Sequence, residues 1–290
     1  MTNCPSISIV TPCFNSGEFL EETILSVLQQ NYPNLEYIII DGGSTDNSIE
    51  IIQKYQDKLS FWISEKDNGM YDALQKGFSK TTGEIMAWIN ADDLYHKNSF
   101  FIISELFEKF NDINWLVGAS TFFDEKSRCI QINQSKIFTR YDFLIGNFKW
   151  IQQESCFWRR SLWEKSGSYI NSTLKYAGDL DLWIRFFRYE SLYITNSLIG
   201  VFRLRCKKQL SLEGYNDYLN ESNIIFSSEK VTKKDKPLIK QYKTFNNFLK
   251  LIGKLKIFNT SGALKFYKKK KFGSVKEISF NRITQQFEII

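Results

Sequence analysis

Gly83-Glu84-Ile85-Met86-Ala87-Trp88-Ile89-Asn90-Ala91-Asp92-Asp93-Leu94-Tyr95 decides how the rest of the sequence is read. Ile85 to Ile89 is an apolar run of strand length, and it stops abruptly at a polar tip with two adjacent carboxylates. Open α/β sheets bind ligands in the crevice beyond such strand ends. Two hard oxygen ligands beside a nucleotide suit Mg²⁺ or Mn²⁺ shared between protein and phosphate. The competing reading is local: Asp92 caps a following helix and Asp93 is solvated in a turn.

The preceding residues repeat the same logic three times. Ser6 to Pro12 alternates and ends at a proline, and Phe19, Leu20, Ile24, Val27 and Leu28 then fall on one helical face, with Asn15 and Ser16 where a cap belongs. Leu35 to Ile40 is a second strand, leaving through Asp41-Gly42-Gly43-Ser44-Thr45-Asp46 into a helix begun by Ile49, Ile52 and Tyr55. Ser60 to Ser64 is a third, leaving through Glu65-Lys66-Asp67-Asn68-Gly69 into a helix through Ala73, Leu74 and Phe78. Four strands alternating with three helices predict a mostly parallel, doubly wound α/β sheet. Asp41, Asp67, Asp92 and Asp93 then lie along one edge, where carboxylates can accept hydrogen bonds from ribose hydroxyls or a base N–H. Taken singly, Asp41 and Asp46 are better explained by turn and cap chemistry. No G-x-G-x-x-G or G-x-x-x-x-G-K-[ST] phosphate loop occurs, which disfavours nicotinamide and P-loop chemistry.

Composition narrows the class further. The five cysteines are scattered and odd in number, and the single histidine, His96, leaves little basis for a Ser-His-Asp triad. No apolar run is long enough to span a bilayer, and Met1 to Pro5 lacks a signal-peptide pattern, so a reducing, cytoplasmic setting is expected. Residues 230–276 contain fifteen lysines and one acid, Asp235; their balance of +14 leaves −8 for the remainder of a chain whose total is +6. A uniformly basic nucleic-acid binder does not look like this, and no nucleic-acid partner is expected. Phe245, Phe248, Leu249, Ile252 and Leu255 recur at helical spacing beside Lys243, Lys250 and Lys254, and Lys268 to Lys271 lie between aromatic residues. Such helices can rest on the anionic inner face of a membrane, or can pack on the body or on a second copy in a homo-oligomer.

Four segments together carry a resemblance: Ile9-Val10-Thr11-Pro12-Cys13-Phe14-Asn15, Asp41 to Asp46, Asp67-Asn68-Gly69-Met70-Tyr71-Asp72-Ala73, and Thr82-Gly83-Glu84 through Asp93. In this order they resemble the inverting family 2 glycosyltransferases of GT-A fold, over roughly residues 6–205. The resemblance implies a GT-A domain over residues 1–212, with residues 213–290 as a helical, lysine-rich appendage. It implies transfer of a hexosyl or N-acetylhexosaminyl group from a nucleotide-sugar of UDP-linked type, with inversion, to a saccharide or lipid-linked acceptor in cell-surface polysaccharide assembly. Thr11, Pro12, Asn15 and Asp41 would line the nucleotide pocket, and Asp67 would meet the base or ribose. The family's Asp-x-Asp element has Asn90 in its first position, which leaves Asp92, with Asp93 beside it, for Mn²⁺ or Mg²⁺. Asp179 matches the catalytic-base position, although the usual preceding Glu is Gly178; Asp181 and Glu154 are the other candidates. Gln153-Glu154-Ser155 and Arg159-Arg160 resemble the acceptor side, and solvated charges at a strand end account for the arginines equally well. Arg203 to Ser211 reads as a basic segment able to fold over a diphosphate, or as an exposed linker. A catalytically weak nucleotide-sugar-binding scaffold at a membrane is the alternative to an enzyme.

Overall fold

The computed structural model describes residues 4–147, 150–206, 209–253, 260–272 and 276–290. Three turns of strand, exit loop and helix build the first half: β1 (Ile7–Cys13), α1 (Leu20–Leu28), β2 (Leu35–Asp41), α2 (Ser48–Tyr55), β3 (Phe61–Ser64) and α3 (Met70–Phe78). Next come β4 (Ile85–Trp88), the short β5 (Leu94–Tyr95), α4 (Ser99–Lys109), β6 (Trp115–Phe123) and β7 (Cys129–Asn133). Then follow α5 (Arg140–Leu144), β8 (Cys156–Arg159), α6 (Arg160–Lys165), α7 (Gly178–Phe187) and β9 (Tyr193–Arg203). Four helices, α8 (Leu210–Glu213), α9 (Tyr215–Ser228), α10 (Asp235–Gly253) and α11 (Thr260–Phe272), precede β10 (Lys276–Asn281) and β11 (Gln286–Ile289).

The sheet runs in the order β11-β10-β9-β6-β8-β4-β1-β2-β3, with β5 on β9 and β7 on β6. β4, β1, β2 and β3 are parallel, so their exits share one edge as the alternating pattern predicts. β8 is antiparallel to both β4 and β6, which makes the sheet mixed beyond β4. α3 packs on β1 and β2. All seven residues of β1 are buried, as a central parallel strand covered on both faces requires.

The apolar stripe of α7 drives Leu180, Trp183 and Ile184 into the core. There Trp183 stacks on Trp88 (5.7 Å between rings) and on Trp115 (5.6 Å), with Trp158 edge-on. This aromatic block, with large contact area and offset geometry, ties the β4 exit to the start of α7. Those two places carry Asp92 and Asp179.

Three expectations are modified. α1 starts later than the sequence pattern suggests, at Leu20, with no side-chain cap; the carbonyl of Ser16 accepts the first N–H groups, from Phe19 and Leu20. The sequence pattern suggests two strands, Leu192–Asn196 and Ile199–Leu204, whereas Tyr193–Arg203 is one continuous strand. The appendage is not helical throughout, because β10 pairs in parallel with β9 and so rejoins the main sheet. It is also held by a buried ion pair. Lys268 donates to Asp142 (2.8 Å) and to the carbonyl of Ile137 (2.9 Å), and Tyr242 from α10 donates to the same carboxylate. Lys268 thus points inward, away from any membrane. Lys254 and Leu255 of the expected stripe lie outside the described residues. Among the described residues, no helix is long and apolar enough to cross a membrane.

Candidate active site

The strand exits open into a cavity of about 1200 Å³. Pro12, Asp67, Asn90, Asp92 and Asp179 line it, so residues far apart in the chain meet as expected. Glu154 lines it too, whereas Thr11, Asn15, Asp41, Asp93 and Asp181 do not. Thr11 is buried, with its hydroxyl against Tyr37 (3.1 Å). Asp41 is fully enclosed: Ser44 N, Gly43 N and the Ser64 hydroxyl donate to Oδ2, and the Ser44 hydroxyl donates to Oδ1 (2.5 Å). Asp41 therefore shapes the loop after β2 and does not itself line the cavity. Asn15, at φ 48°, accepts from Thr45 N (2.8 Å) and clasps the first two exit loops together. Gly42 matters for space: a Cβ there would stand 2.6 Å from an Asp67 carboxylate oxygen. Asp67 thus leans over bare backbone at the cavity edge, its pKa raised by burial.

The paired acids after β4 have different fates. Asp93 is buried, accepting from Arg203 N (2.9 Å) and from Asn90 Nδ2 (2.9 Å). It positions the turn and does not face the cavity as a metal ligand. Asp92 does face it, and pairs with the Arg205 guanidinium (2.9 Å). Burial raises the Asp92 pKa, against the pull of Arg205. Burial raises Asp93 more strongly, aided by the charges of Glu154 and Asp92. Arg203 is not part of an exposed linker. It is completely buried, donating to the Asp92 carbonyl (2.7 Å) and pairing with Glu22 (2.5 Å). Lys207 and Lys208 lie outside the described residues.

Asp179 sits in the first turn of α7, its Oδ1 accepting from Leu180 N (2.8 Å). Burial raises its pKa to about 6. A carboxylate so placed is ionised at neutral pH yet far more basic than an exposed aspartate. The departure at Gly178 has a steric cause: a Cβ there would lie 2.7 Å from the Tyr71 ring. The Tyr71 hydroxyl, in turn, stands 3.1 Å from the Tyr176 carbonyl and supports the start of α7. Asp181 is held by Arg185 (3.0 Å) and does not line the cavity.

Glu154 ranks behind Asp179 and Asp181 as a candidate base in the sequence, yet Glu154, unlike Asp181, reaches the cavity. It is buried in the cavity wall with its pKa raised to about 7, chiefly by burial and further by the charges of Asp92 and Asp179. Trp150 and Tyr218, stacked 4.4 Å apart, also line the cavity, and no sequence pattern singled them out. Arg159 and Arg160 are structural: Arg159 pairs with Glu84 (2.5 Å) and donates to the carbonyls of Ile113 and Phe107, while Arg160 donates to the Gly83 carbonyl.

No three acidic, histidine or cysteine side chains converge into a metal cage among the described residues. A cation that draws most of its ligands from phosphate needs no cage. Asp92 at the wall, with the unpartnered Asn90 Oδ1 in the same turn, fits the protein's share of such a site.

The family model for glycosyl transferase family 2 matches residues 8–167. An uncharacterised glycosyltransferase of Rickettsia prowazekii is 28% identical over 224 residues, covering 73% of this chain and 70% of the relative. The S. aureus TarS 1-349 structure in complex with UDP-GlcNAc superposes with TM-score 0.66 at 16% identity, covering 84% of this chain and 72% of that one. The mannosyltransferase PcManGT of Pyrobaculum calidifontis, in complex with GDP-Man and Mn²⁺, gives 0.61 at 16% identity, covering 83% and 70%. These likenesses establish the GT-A fold.

Proposed function

The chain belongs to glycosyl transferase family 2, and we propose that it moves a hexose or N-acetylhexosamine from a nucleotide-diphospho-sugar to an acceptor hydroxyl, with inversion. The observation that carries this reading is the meeting of Asp67, Asp92 and Asp179 around one cavity at the strand ends. Asp67 accepts from the base or ribose, and Asp92 and Asn90 take the diphosphate side. Asp92, with Asn90, would hold the protein's side of a divalent ion, which would supply Lewis-acid neutralisation of the departing nucleotide. Arg205 adds fixed positive charge beside it. Asp179 removes the proton from the attacking hydroxyl, the step that direct displacement requires of a general base. The UDP-GlcNAc and GDP-Man complexes of the two structural neighbours support a nucleotide-sugar donor. A saccharide or lipid-linked acceptor of cell-surface polysaccharide assembly fits the open, partly aromatic side of the cavity at Trp150 and Tyr218.

The basic appendage completes the reading as a contact with an anionic membrane surface. Phe248 and Leu251 are 54% and 66% exposed on the outer face of α10, and Lys240, Lys243 and Lys250 are exposed beside them. Incubating the protein with nucleotide-sugars and Mn²⁺ while measuring release of nucleoside diphosphate, with and without acceptor, tests the enzymatic reading. Saturable donor binding without any turnover would favour a scaffold instead.

A further inference from the structure

The cavity wall beside Asn90 and Asp92 contains three residues the mechanism above does not use, Gln152, Gln153 and Glu154. Gln152 and Gln153 each spend their side-chain amide hydrogens on a backbone carbonyl: Gln152 donates to Thr121 (3.0 Å) and Gln153 to Trp88 (2.5 Å). Asn90 spends its amide on Asp93 (2.9 Å). These commitments fix which end of each amide is which, since flipping any of them would set oxygen against oxygen. What remains is a set of acceptors. Asn90 Oδ1, Gln152 Oε1, Gln153 Oε1 and Glu154 Oε2 are buried and have no hydrogen-bond partner among the described residues. All four residues line the same cavity. Buried polar atoms are almost always satisfied, so four unmet acceptors on one wall call for an occupant that brings hydrogens.

We propose that Gln152, Gln153 and Glu154, next to Asn90 on the diphosphate side, form the subsite that reads the transferred sugar, accepting hydrogen bonds from the hydroxyl or amide groups of an uncharged hexose or N-acetylhexosamine. This rests on the glycosyltransferase reading and refines it. The position suits the transferred ring, because Gln152, Gln153 and Glu154 line the same cavity as Asp92 on the diphosphate side and Asp179 on the side of the attacking hydroxyl. The chemistry selects against a hexuronic acid, whose carboxylate brings no hydrogen and would face Asp92 and Glu154. A site that hydrogen-bonds a substrate hydroxyl discriminates strongly against an analogue lacking it, because the buried partner is then left unpaired.

The test is isothermal titration of the full chain, with Mn²⁺, by UDP, GDP and their sugars: glucose, galactose, N-acetylglucosamine, mannose and glucuronic acid. We expect one neutral nucleotide-sugar to bind at least about tenfold tighter than its bare nucleotide, and the glucuronic acid donor to gain nothing. Gln152→Met and Glu154→Met should each erase most of that gain while leaving the bare nucleotide unchanged. Glu154→Gln, which keeps an acceptor, should retain part of it. Deoxyfluoro analogues of the preferred sugar, titrated into the wild type, decide the matter even where a variant fails to fold: at least one position should lose about tenfold. The subsite is overturned if nucleotide binds but no sugar adds affinity, if no deoxyfluoro position matters, or if glucuronic acid is preferred. It is also overturned if the methionine variants weaken nucleotide and nucleotide-sugar equally, or weaken neither. A wild type that binds neither UDP nor GDP overturns the glycosyltransferase reading itself, and this assignment with it.

Discussion

Replacing Asp179 by Asn removes one ionisable proton and little else. The new amide oxygen can still accept from Leu180 N, as Oδ1 does at 2.8 Å. The charge, however, is expensive where it sits, because burial has moved this carboxyl from the ordinary 3.8 to about 6. The displacement corresponds to about 3 kcal/mol at most against the folded state at neutral pH, and less in proportion as cavity water screens it. The sign follows from linkage: for a raised pKa, the stability Asp179 contributes is fully present below its unfolded value and is lost as pH climbs through about 6. Asp179→Asn should therefore match the wild type in melting temperature near pH 4 and exceed it near pH 7.5, by roughly 2–4 °C per kcal/mol recovered. The same variant should lose at least about a hundredfold in kcat. In the wild type, kcat/KM should rise with pH to a plateau, with a midpoint near 6. Scanning calorimetry at the two pH values and a diphosphate-release assay measure both arms. A variant with near-wild-type turnover, or one that melts lower at neutral pH, would refute the assignment of Asp179 as a buried, charged base.

Removing divalent metal with EDTA should abolish transfer, and Asp92→Asn should do so even in excess Mn²⁺, because the diphosphate then lacks its protein-held partner; full turnover in EDTA counts against any metal role. Lys268→Met leaves the buried Asp142 without its cation and should cost about 3–5 kcal/mol in urea unfolding. The double variant Lys268→Met/Asp142→Asn should recover much of that loss, and a single variant within about 1 kcal/mol of wild type would show that the pair does not hold the appendage. In vesicle flotation, the protein should bind anionic liposomes in preference to neutral ones, and Phe248→Ser/Leu251→Ser should weaken that binding; equal recovery with both lipids argues against a membrane face on α10.

The strand exits were readable because a parallel strand announces itself twice, in its apolar run and in the polar break after it. Four such runs in order placed Asp67 and Asp92 at one edge before any coordinates. The far wall was less readable for a physical reason. Asp179 reaches the cavity through the aromatic block of Trp88, Trp115 and Trp183; the apolar stripe of α7 shows that the helix packs, but nothing in it shows against which strand. Side-chain orientation was beyond the sequence as well: Asp92 and Asp93 are neighbours of identical chemistry, and only the main-chain N–H of Arg203, more than a hundred residues later, decides which of them turns inward. The same holds for the lysines. Lys268 reads as one of four exposed cations, yet the carboxylate of Asp142 draws it into the interior.

The return of β10 to the side of β9 has a consequence for the order in which the molecule is made. A ribosome delivers β1 through β9 long before residues 276–290, so for the synthesis of more than seventy residues the edge of β9 at Tyr193 to Thr195 has no neighbour on that side. An open strand edge is a template for pairing with any other chain nearby. Lys276 to Ile278 therefore act as a late seal. A nascent or truncated chain lacking them presents a nearly finished catalytic body with one raw edge, ready to join another of its kind through backbone hydrogen bonds rather than through side-chain recognition.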